Sequence, residues 1–169
     1  RQQDEQPVIN GVPRPNQSRA DFIAPRGTPD YLGMFAVTAG VGIEKWLDIY
    51  GKENDDYNSI MLKAVADRLV EALSEYKHEL VRRDLWDYSP DEKFNHQELL
   101  RMPYRGIRPA PGYPTCPEHT VKGDIFKLLQ ADKIGMSLTE NYAMLPTASI
   151  MGFYFAHPDA KSFNIGRIR

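Results

Sequence analysis

The sequence contains a single cysteine, Cys116, among its 169 residues. One cysteine cannot form an intrachain disulfide framework, and such scarcity is typical of proteins in a reducing cytoplasm. No apolar run approaches the ~20 residues that a membrane-spanning helix needs, so we expect no membrane segment. The chain begins Arg1-Gln2-Gln3, which is neither a signal peptide nor a native start. We therefore expect a fragment of a larger cytoplasmic protein.

The sequence also lacks an excess of positive charge. Lysine and arginine number 21 against 23 acidic residues, for a net charge of −2. This balance argues against a nucleic-acid-binding protein, which is usually basic. The phosphate-binding patterns GxGxxG and GxxxxGK[ST] are absent as well, which argues against a dinucleotide or P-loop site. The length fits one domain with a substantial core.

The first half of the chain predicts an arm, a strand and a short helix. Residues 1–30 are polar and rich in proline, which predicts an extended arm anchored by Phe22 and Ile23. Residues 31–38 predict a buried strand. A helix over residues 43–50 would place on one face Ile43, Trp46, Leu47 and Tyr50.

A long amphipathic helix follows, with Asp55 or Asp56 as its N-cap. Apolar side chains recur at spacings of three and four, which predicts that they face the core: Leu62, Val65, Leu69, Leu73, Tyr76 and Leu80. A column of acids, Asp67, Glu71 and Glu75, occupies another face. Like charges at this spacing repel unless cations compensate, a role open to Lys63 and Arg68. By itself the column is consistent with a solvated face.

The second half predicts two helices and three strands. Ser89 and Asn95 each begin a segment with the form of a capped helix start, so a short helix would carry Leu99 and Leu100 toward the core. A further helix should begin near His119 or Thr120 and end by Gly135. Strands are predicted over residues 137–144, 149–157 and 162–168. The order lacks strict βαβ alternation, so we predict a single α+β domain: a mainly antiparallel sheet with flanking helices, in which residues 31–169 follow the arm.

Residues 106–119, here called the proline loop, carry four prolines and two glycines. Proline fixes φ and glycine allows positive φ, so this segment should be a stiff, shaped loop. Arg108 and Tyr113 lie within it. A guanidinium on a rigid loop suits the binding of a carboxylate-bearing small ligand. The alternative is a rigid surface connector whose arginine is merely solvated.

Cys116 and His119 raise two further alternatives, a thiolate–base pair and a metal site. The first needs an orienting group and an oxyanion hole, and the sequence identifies neither. The second would add Glu118 and His157, but one C-x-x-H pair is not a four-ligand pattern. We therefore predict no catalytic residue and no metal.

The segment GIRPAPGYPTCPEHT closely resembles the signature of the S-adenosyl-L-methionine-binding reactivation domain of cobalamin-dependent methionine synthase. Residues 55–86 resemble that family's long helix. LTENYAM and ASIMGFYFAHPDAK resemble its last sheet segments. The blocks agree in order and spacing from Arg1 to Arg169, with a small gap or two, so the resemblance is more specific than one motif.

The resemblance implies a set of ligand-binding residues on the helix, the proline loop and the last strand. They are Glu71, Arg108, Pro109, Ala110, Gly112, Tyr113, Ser162 and Phe163. Ser162 stands where the family usually has a tyrosine. Glu44 and Asp67 are implied to face the docked cobalamin-binding domain. The family's earlier section, with a ligand-contacting aspartate, and its C-terminal helical stretch are expected to lie outside this sequence.

The resemblance implies a repair function in methionine biosynthesis. Methionine synthase transfers a methyl group from methyltetrahydrofolate to homocysteine through cobalamin, and oxidation to cob(II)alamin inactivates it. This domain would present S-adenosyl-L-methionine while a flavodoxin-like or diflavin reductase supplies an electron. Cobalamin would be held by another domain, and the isolated chain would not be catalytic. The alternative is a freestanding regulatory domain that docks a cobalamin module without effective ligand binding.

Overall fold

The computed structural model describes residues 8–163 and 165. Its centre is an antiparallel pair of strands, β3 (Gly33–Thr38) and β6 (Ser149–Tyr154). The register runs from Gly33 opposite Tyr154 to Thr38 opposite Ser149. Helices flank this pair, and the α+β class predicted from the sequence is confirmed.

The other elements are short apart from one helix. In chain order they are β1 (Val8–Ile9), β2 (Val12–Pro13), α1 (Glu44–Lys52), α2 (Asp56–Leu80), α3 (His96–Leu99), α4 (Val121–Leu129), β4 (Ser137–Leu138) and β5 (Met144–Leu145). Strand β1 pairs with β2 and β4 with β5, both antiparallel. Within the described ranges, no helix is long and apolar enough to cross a membrane.

The two faces of the central pair bury two clusters. Phe35 and Val37 of β3 point to one face, where they pack with Val70 of α2 and Tyr154. Met151 of β6 points to the other face and joins a cluster centred on Ile125 of α4. Alternate residues of a strand point to opposite faces, so each strand contributes to both cores.

Helix α2 has one of the two predicted N-caps, Asp55, but the predicted core face is wrong. The Asp55 side chain accepts a hydrogen bond from the Asn58 backbone N–H at 3.0 Å. The face that packs on the sheet carries Ala66, Val70, Ser74 and His78. By contrast, four of the predicted core residues are exposed: Val65 (47%), Leu69 (56%), Leu73 (36%) and Tyr76 (57%). The smaller Ala66 and Ser74 occupy the contact with the sheet, and the larger side chains turn toward solvent.

Three other predictions change in detail. Residues 137–144 form a hairpin rather than one strand, because the chain turns where the Thr139 N–H bonds the Ala143 carbonyl at 2.9 Å. Leu100 ends α3 on the solvent side, 74% exposed. Ser162 and Phe163 lie outside any strand. Residues 164 and 166–168 of that predicted strand lie outside the described residues.

The predicted arm is folded in part. Residues 8–13 form the β1–β2 hairpin, and Arg19–Phe22 form a 3-10 turn. Ser18 and Asp21 close a capping box at the start of this turn. Phe22, the predicted anchor, is buried against His157 and Phe163, with ring centroids 6.1 and 6.4 Å away. The arm therefore reaches the far end of the chain.

A candidate ligand-binding cleft

The proline loop begins as a short extension of the central sheet. The Phe153 N–H donates to the Pro109 carbonyl at 2.9 Å, and Ile107 and Phe155 exchange two hydrogen bonds of 3.0 Å. Gly152 makes this approach possible, because a Cβ there would lie 2.5 Å from the Pro109 oxygen. The free edge of β6 thus fixes the backbone on either side of Arg108.

Beyond Ala110 the loop closes on itself. Gly112 has a φ of +103°, and its N–H donates to the Cys116 carbonyl at 2.8 Å. The His119 ring fills the place of a Cβ at Gly112, with Cε1 only 2.6 Å from that position. A side chain is excluded at Gly112, so this glycine shapes the loop. The next residue, Tyr113, is 66% exposed.

An open cleft of about 910 Å³ lies between the proline loop, α2 and residues 160–165. Seven of the eight predicted ligand-binding residues line it: Glu71, Arg108, Pro109, Ala110, Tyr113, Ser162 and Phe163. Gly112 does not line the cleft. Its role is to shape the loop that carries Tyr113. Segments far apart in sequence therefore supply one continuous surface of guanidinium, carboxylate, aromatic and backbone groups.

Arg108 is held by α2 and by Tyr104. Its Nη2 lies 2.6 Å from Glu75 Oε2, and its Nη1 donates to the Tyr104 hydroxyl at 2.9 Å. The cleft residue Glu71 instead pairs with Arg68 at 2.6 Å on the exposed surface. Compensation of the acidic column by Arg68 was predicted. The partnership of Glu75 with Arg108 was not, although Glu75 lies one turn beyond Glu71 in that column.

A buried polar network supports Tyr104 from behind. The Arg82 guanidinium lies 3.9 Å from the Tyr104 ring centroid and pairs with Glu92 through Nε and Nη2. His78 stacks on Tyr154 with centroids 5.1 Å apart and meets the Tyr104 ring edge-on at the same distance. These side chains fix the Tyr104 hydroxyl that accepts from Arg108.

Burial shifts the acid–base properties of this network. Burial, with smaller contributions from Arg82 and Arg108, lowers the pKa of His78 to about 3. Burial raises the pKa of Tyr88, whose hydroxyl lies 3.3 Å from His78 Nε2, to about 12. Both groups are therefore neutral near pH 7, and the charges of the network are those of the ion pairs.

The arm contributes Arg19, a cleft residue that the sequence did not reveal. Its Nη2 donates to Thr115 Oγ1 at 2.8 Å, and its guanidinium lies 5.0 Å from the Phe163 ring centroid. The residue lies in a polar, proline-rich segment, where no local pattern separates it from solvated arginines. Tyr104 was also missed, because its role depends on contacts across the fold.

The surroundings of Cys116 and His119 do not favour a thiolate–base pair. Burial raises the pKa of the Cys116 thiol, which disfavours the thiolate. His119 Nδ1 lies 3.0 Å from Lys122 Nζ. In the described part of the chain, no group of three or more metal-ligating side chains comes together. The guanidinium, carboxylate, aromatic and backbone groups that line the cleft are suited to binding and orienting a ligand.

The two residues implied to face a docked domain lie elsewhere. Glu44 is the first residue of α1 and Asp67 lies on α2, and both are exposed. Neither lines the cleft.

Comparison with known proteins identifies the family. The chain matches the family "Vitamin B12 dependent methionine synthase, activation domain" over residues 1–169. It is similar to a solved structure described as the MetH reactivation domain bound to AdoHcy, at 52% sequence identity and a TM-score of 0.83. This similarity covers 88% of the chain but 47% of the solved one, so our chain spans about half of that relative's length. With a family match along its whole length and a fold shared at this identity, the chain belongs to the activation-domain family of vitamin B12-dependent methionine synthase.

Proposed function

We propose that this chain binds S-adenosyl-L-methionine in the cleft and presents its methyl group to the cobalamin of methionine synthase during reactivation. One observation carries the proposal. Residues assigned to the ligand from α2, the proline loop and the segment after β6 line a single cleft. The solved relative bound to AdoHcy adds support, because AdoHcy is what remains of S-adenosyl-L-methionine once its methyl group is transferred.

The cleft suits such a ligand in size and chemistry. Ligand pockets typically measure about 300–1,000 Å³ and combine apolar walls with a few fixed polar groups. Tyr113 and Phe163 offer aromatic faces to the adenine ring or to the positively charged sulfonium. The Glu71 carboxylate supplies attraction for the same positive charge. Arg108 and the backbone of Pro109 and Ala110 bind the polar edges of the ligand.

S-adenosyl-L-methionine supplies an activated methyl group, so the protein's own residues need not move a proton. Their task is orientation. The rigid proline loop and the paired Arg108 hold their positions before the ligand arrives, which lowers the entropic cost of ordering the complex. Ser162 stands where the family usually has a tyrosine. Phe163 is therefore the aromatic side chain that remains for the ligand on this side of the cleft.

The remaining parts of the reaction belong to partners. A neighbouring domain of methionine synthase holds the cobalamin, and a flavodoxin-like or diflavin reductase supplies one electron to cob(II)alamin. With that electron, the cobalamin would accept the methyl group presented from the cleft, and S-adenosyl-L-homocysteine would remain. Glu44 and Asp67 contribute to docking with the cobalamin-binding domain. The reaction takes place in the cytoplasm and serves methionine biosynthesis, and the chain alone is not catalytic.

A second candidate function is an interaction domain that docks a cobalamin module without effective ligand binding. The observation that favours it is the exposed apolar face of α2, where Val65, Leu69 and Tyr76 stand in solvent. Apolar stripes of this kind often mark protein contacts.

A reactivation assay separates the two functions. Methionine synthase carrying this domain is oxidised to cob(II)alamin, and its recovery with reductase and S-adenosyl-L-methionine is followed by absorbance. We expect Arg108→Ala to slow recovery at least tenfold and the exposed control Arg26→Ala to leave it unchanged. Recovery of Arg108→Ala at the wild-type rate would reject the proposal. A wild type that docks the cobalamin module but shows no recovery dependent on S-adenosyl-L-methionine would favour the second function.

A further inference from the structure

Two arginines with partly buried guanidinium groups line the cleft. They differ in whether a carboxylate neutralises the positive charge. Arg108 is neutralised by Glu75 at 2.6 Å. Arg19 makes one hydrogen bond, to the neutral hydroxyl of Thr115, and forms no ion pair within the described residues. Its Nε and Nη1 are buried and have no hydrogen-bond partner there. Arg19 therefore places in the cleft a positive charge whose Nε and Nη1 donors have no partner among the described residues.

This arrangement calls for an anion. Arginine stays charged at all ordinary pH values, so burial cannot be relieved by losing a proton. Buried donors without partners are costly, and guanidinium groups favour carboxylates that bind along one edge. Each edge of the Arg19 guanidinium combines Nη2 with one of the unpaired nitrogens, as Arg82 does when it binds Glu92 through Nε and Nη2.

The position of Arg19 is fixed before any ligand arrives. Thr115 holds Nη2 from the proline loop, and the Phe163 ring lies 5.0 Å from the guanidinium. The buried Phe22 anchors the same 3-10 turn. A group held by three contacts loses little freedom on binding, which suits a specificity-determining residue.

We propose that Arg19 binds the carboxylate of the methionine moiety of S-adenosyl-L-methionine, an inference that rests on the proposed function. Arg108 is less suited to this role because Glu75 already occupies it, and a second carboxylate there would meet the repulsion of the first. The arm is then part of the binding site rather than a passive extension.

The test compares S-adenosyl-L-methionine with its decarboxylated form, which keeps the adenine, sulfonium and amine but lacks the carboxylate. Affinities of both are measured by calorimetry for the full chain, Arg19→Ala, Arg19→Lys and the exposed arm control Arg26→Ala. We expect Arg19→Ala to weaken S-adenosyl-L-methionine at least tenfold while changing the decarboxylated ligand less than twofold. Arg19→Lys should recover part of the loss, and Arg26→Ala should match the wild type.

The outcomes distinguish this inference from the proposed function. If the wild type binds and Arg19→Ala weakens both ligands equally, Arg19 only holds the arm in place and the inference is wrong. An unchanged affinity, or a carboxylate-specific loss in Arg108→Ala but not in Arg19→Ala, would also overturn it. If the wild type binds neither ligand, the proposed function fails and the inference fails with it.

Discussion

Arg108 and Glu75 join the proline loop to α2 through a contact of 2.6 Å between Nη2 and Oε2. The two side chains are 26% and 30% exposed, whereas those of the neighbouring pair Arg68–Glu71 are 82% and 58% exposed. Because solvent screens an exposed pair more strongly, the two pairs should differ in strength although both involve α2.

Double-mutant cycles measure this difference. For Arg108→Met and Glu75→Gln we expect a coupling free energy of about 1–2 kcal/mol, because the pair is charge-assisted and half-buried. For Arg68→Met and Glu71→Gln we expect about 0.3 kcal/mol, as is usual for exposed helix pairs. Urea unfolding of the single and double variants supplies both values. Equal coupling in the two pairs would contradict the geometry described for Arg108.

Gly152 is predicted to control the position of the proline loop. In Gly152→Ala the new methyl group would lie 2.5 Å from the Pro109 oxygen and 2.8 Å from the Phe35 ring. We expect a loss of about 1–3 kcal/mol in the free energy of unfolding and weaker ligand binding, since the loop must move away from β6. Gly51→Ala in α1 is the matched control, because a Cβ there meets nothing within 4 Å. A fully stable Gly152→Ala variant with unchanged binding would show that the loop is not held at this point.

Two valines of α2 test which face of the helix is buried. Val70 is 3% exposed and Val65 is 47% exposed. Both changes to alanine bring the same gain in helix propensity. The difference between their free energies of unfolding therefore reports how much each side chain is buried. We expect Val70→Ala to lose about 2 kcal/mol more than Val65→Ala in urea unfolding. The reverse order would restore the face predicted from the sequence.

His78 should make stability depend on pH. Its folded pKa is about 3, below the usual 6.5 of an unfolded chain. Below pH 6.5 the unfolded state binds a proton that the folded state does not, so stability is complete above pH 6.5 and falls as pH decreases toward 3. The expected loss between pH 7 and pH 5 is about 2 kcal/mol.

Variants assign this pH dependence to one residue. The free energy of unfolding at pH 7 and pH 5 should change much less in His78→Gln than in the wild type. His96→Gln, an exposed histidine at the start of α3, serves as the control. If both variants lose as much free energy of unfolding between pH 7 and pH 5 as the wild type does, a group other than His78 causes the acid sensitivity.

The sequence was a good guide where local chemistry decides the structure. The Asp55 and Asn95 caps and the proline loop carry their own signals, and the structure has each of them. The face of α2 was misjudged because periodicity finds the largest apolar stripe, while packing on β3 and β6 selected Ala66 and Ser74. Tertiary contact overrides such a pattern when small residues allow a closer approach.

The cleft was predictable in part for the same reason. Arg108 and Tyr113 lie in a segment with a distinctive composition, so the sequence could single them out. Arg19 contacts Thr115 across 96 residues of sequence. No window of the sequence contains both partners, and an arginine in a polar arm has no local feature that predicts burial.

Calorimetric titration with S-adenosyl-L-methionine is the most direct test of the central claim. We predict saturable binding at one site by the wild-type chain, an affinity at least tenfold lower in Arg108→Ala, and an unchanged affinity in Arg26→Ala. No binding by the wild type, or equal affinity in Arg108→Ala and the wild type, would contradict the assignment of this cleft to the ligand.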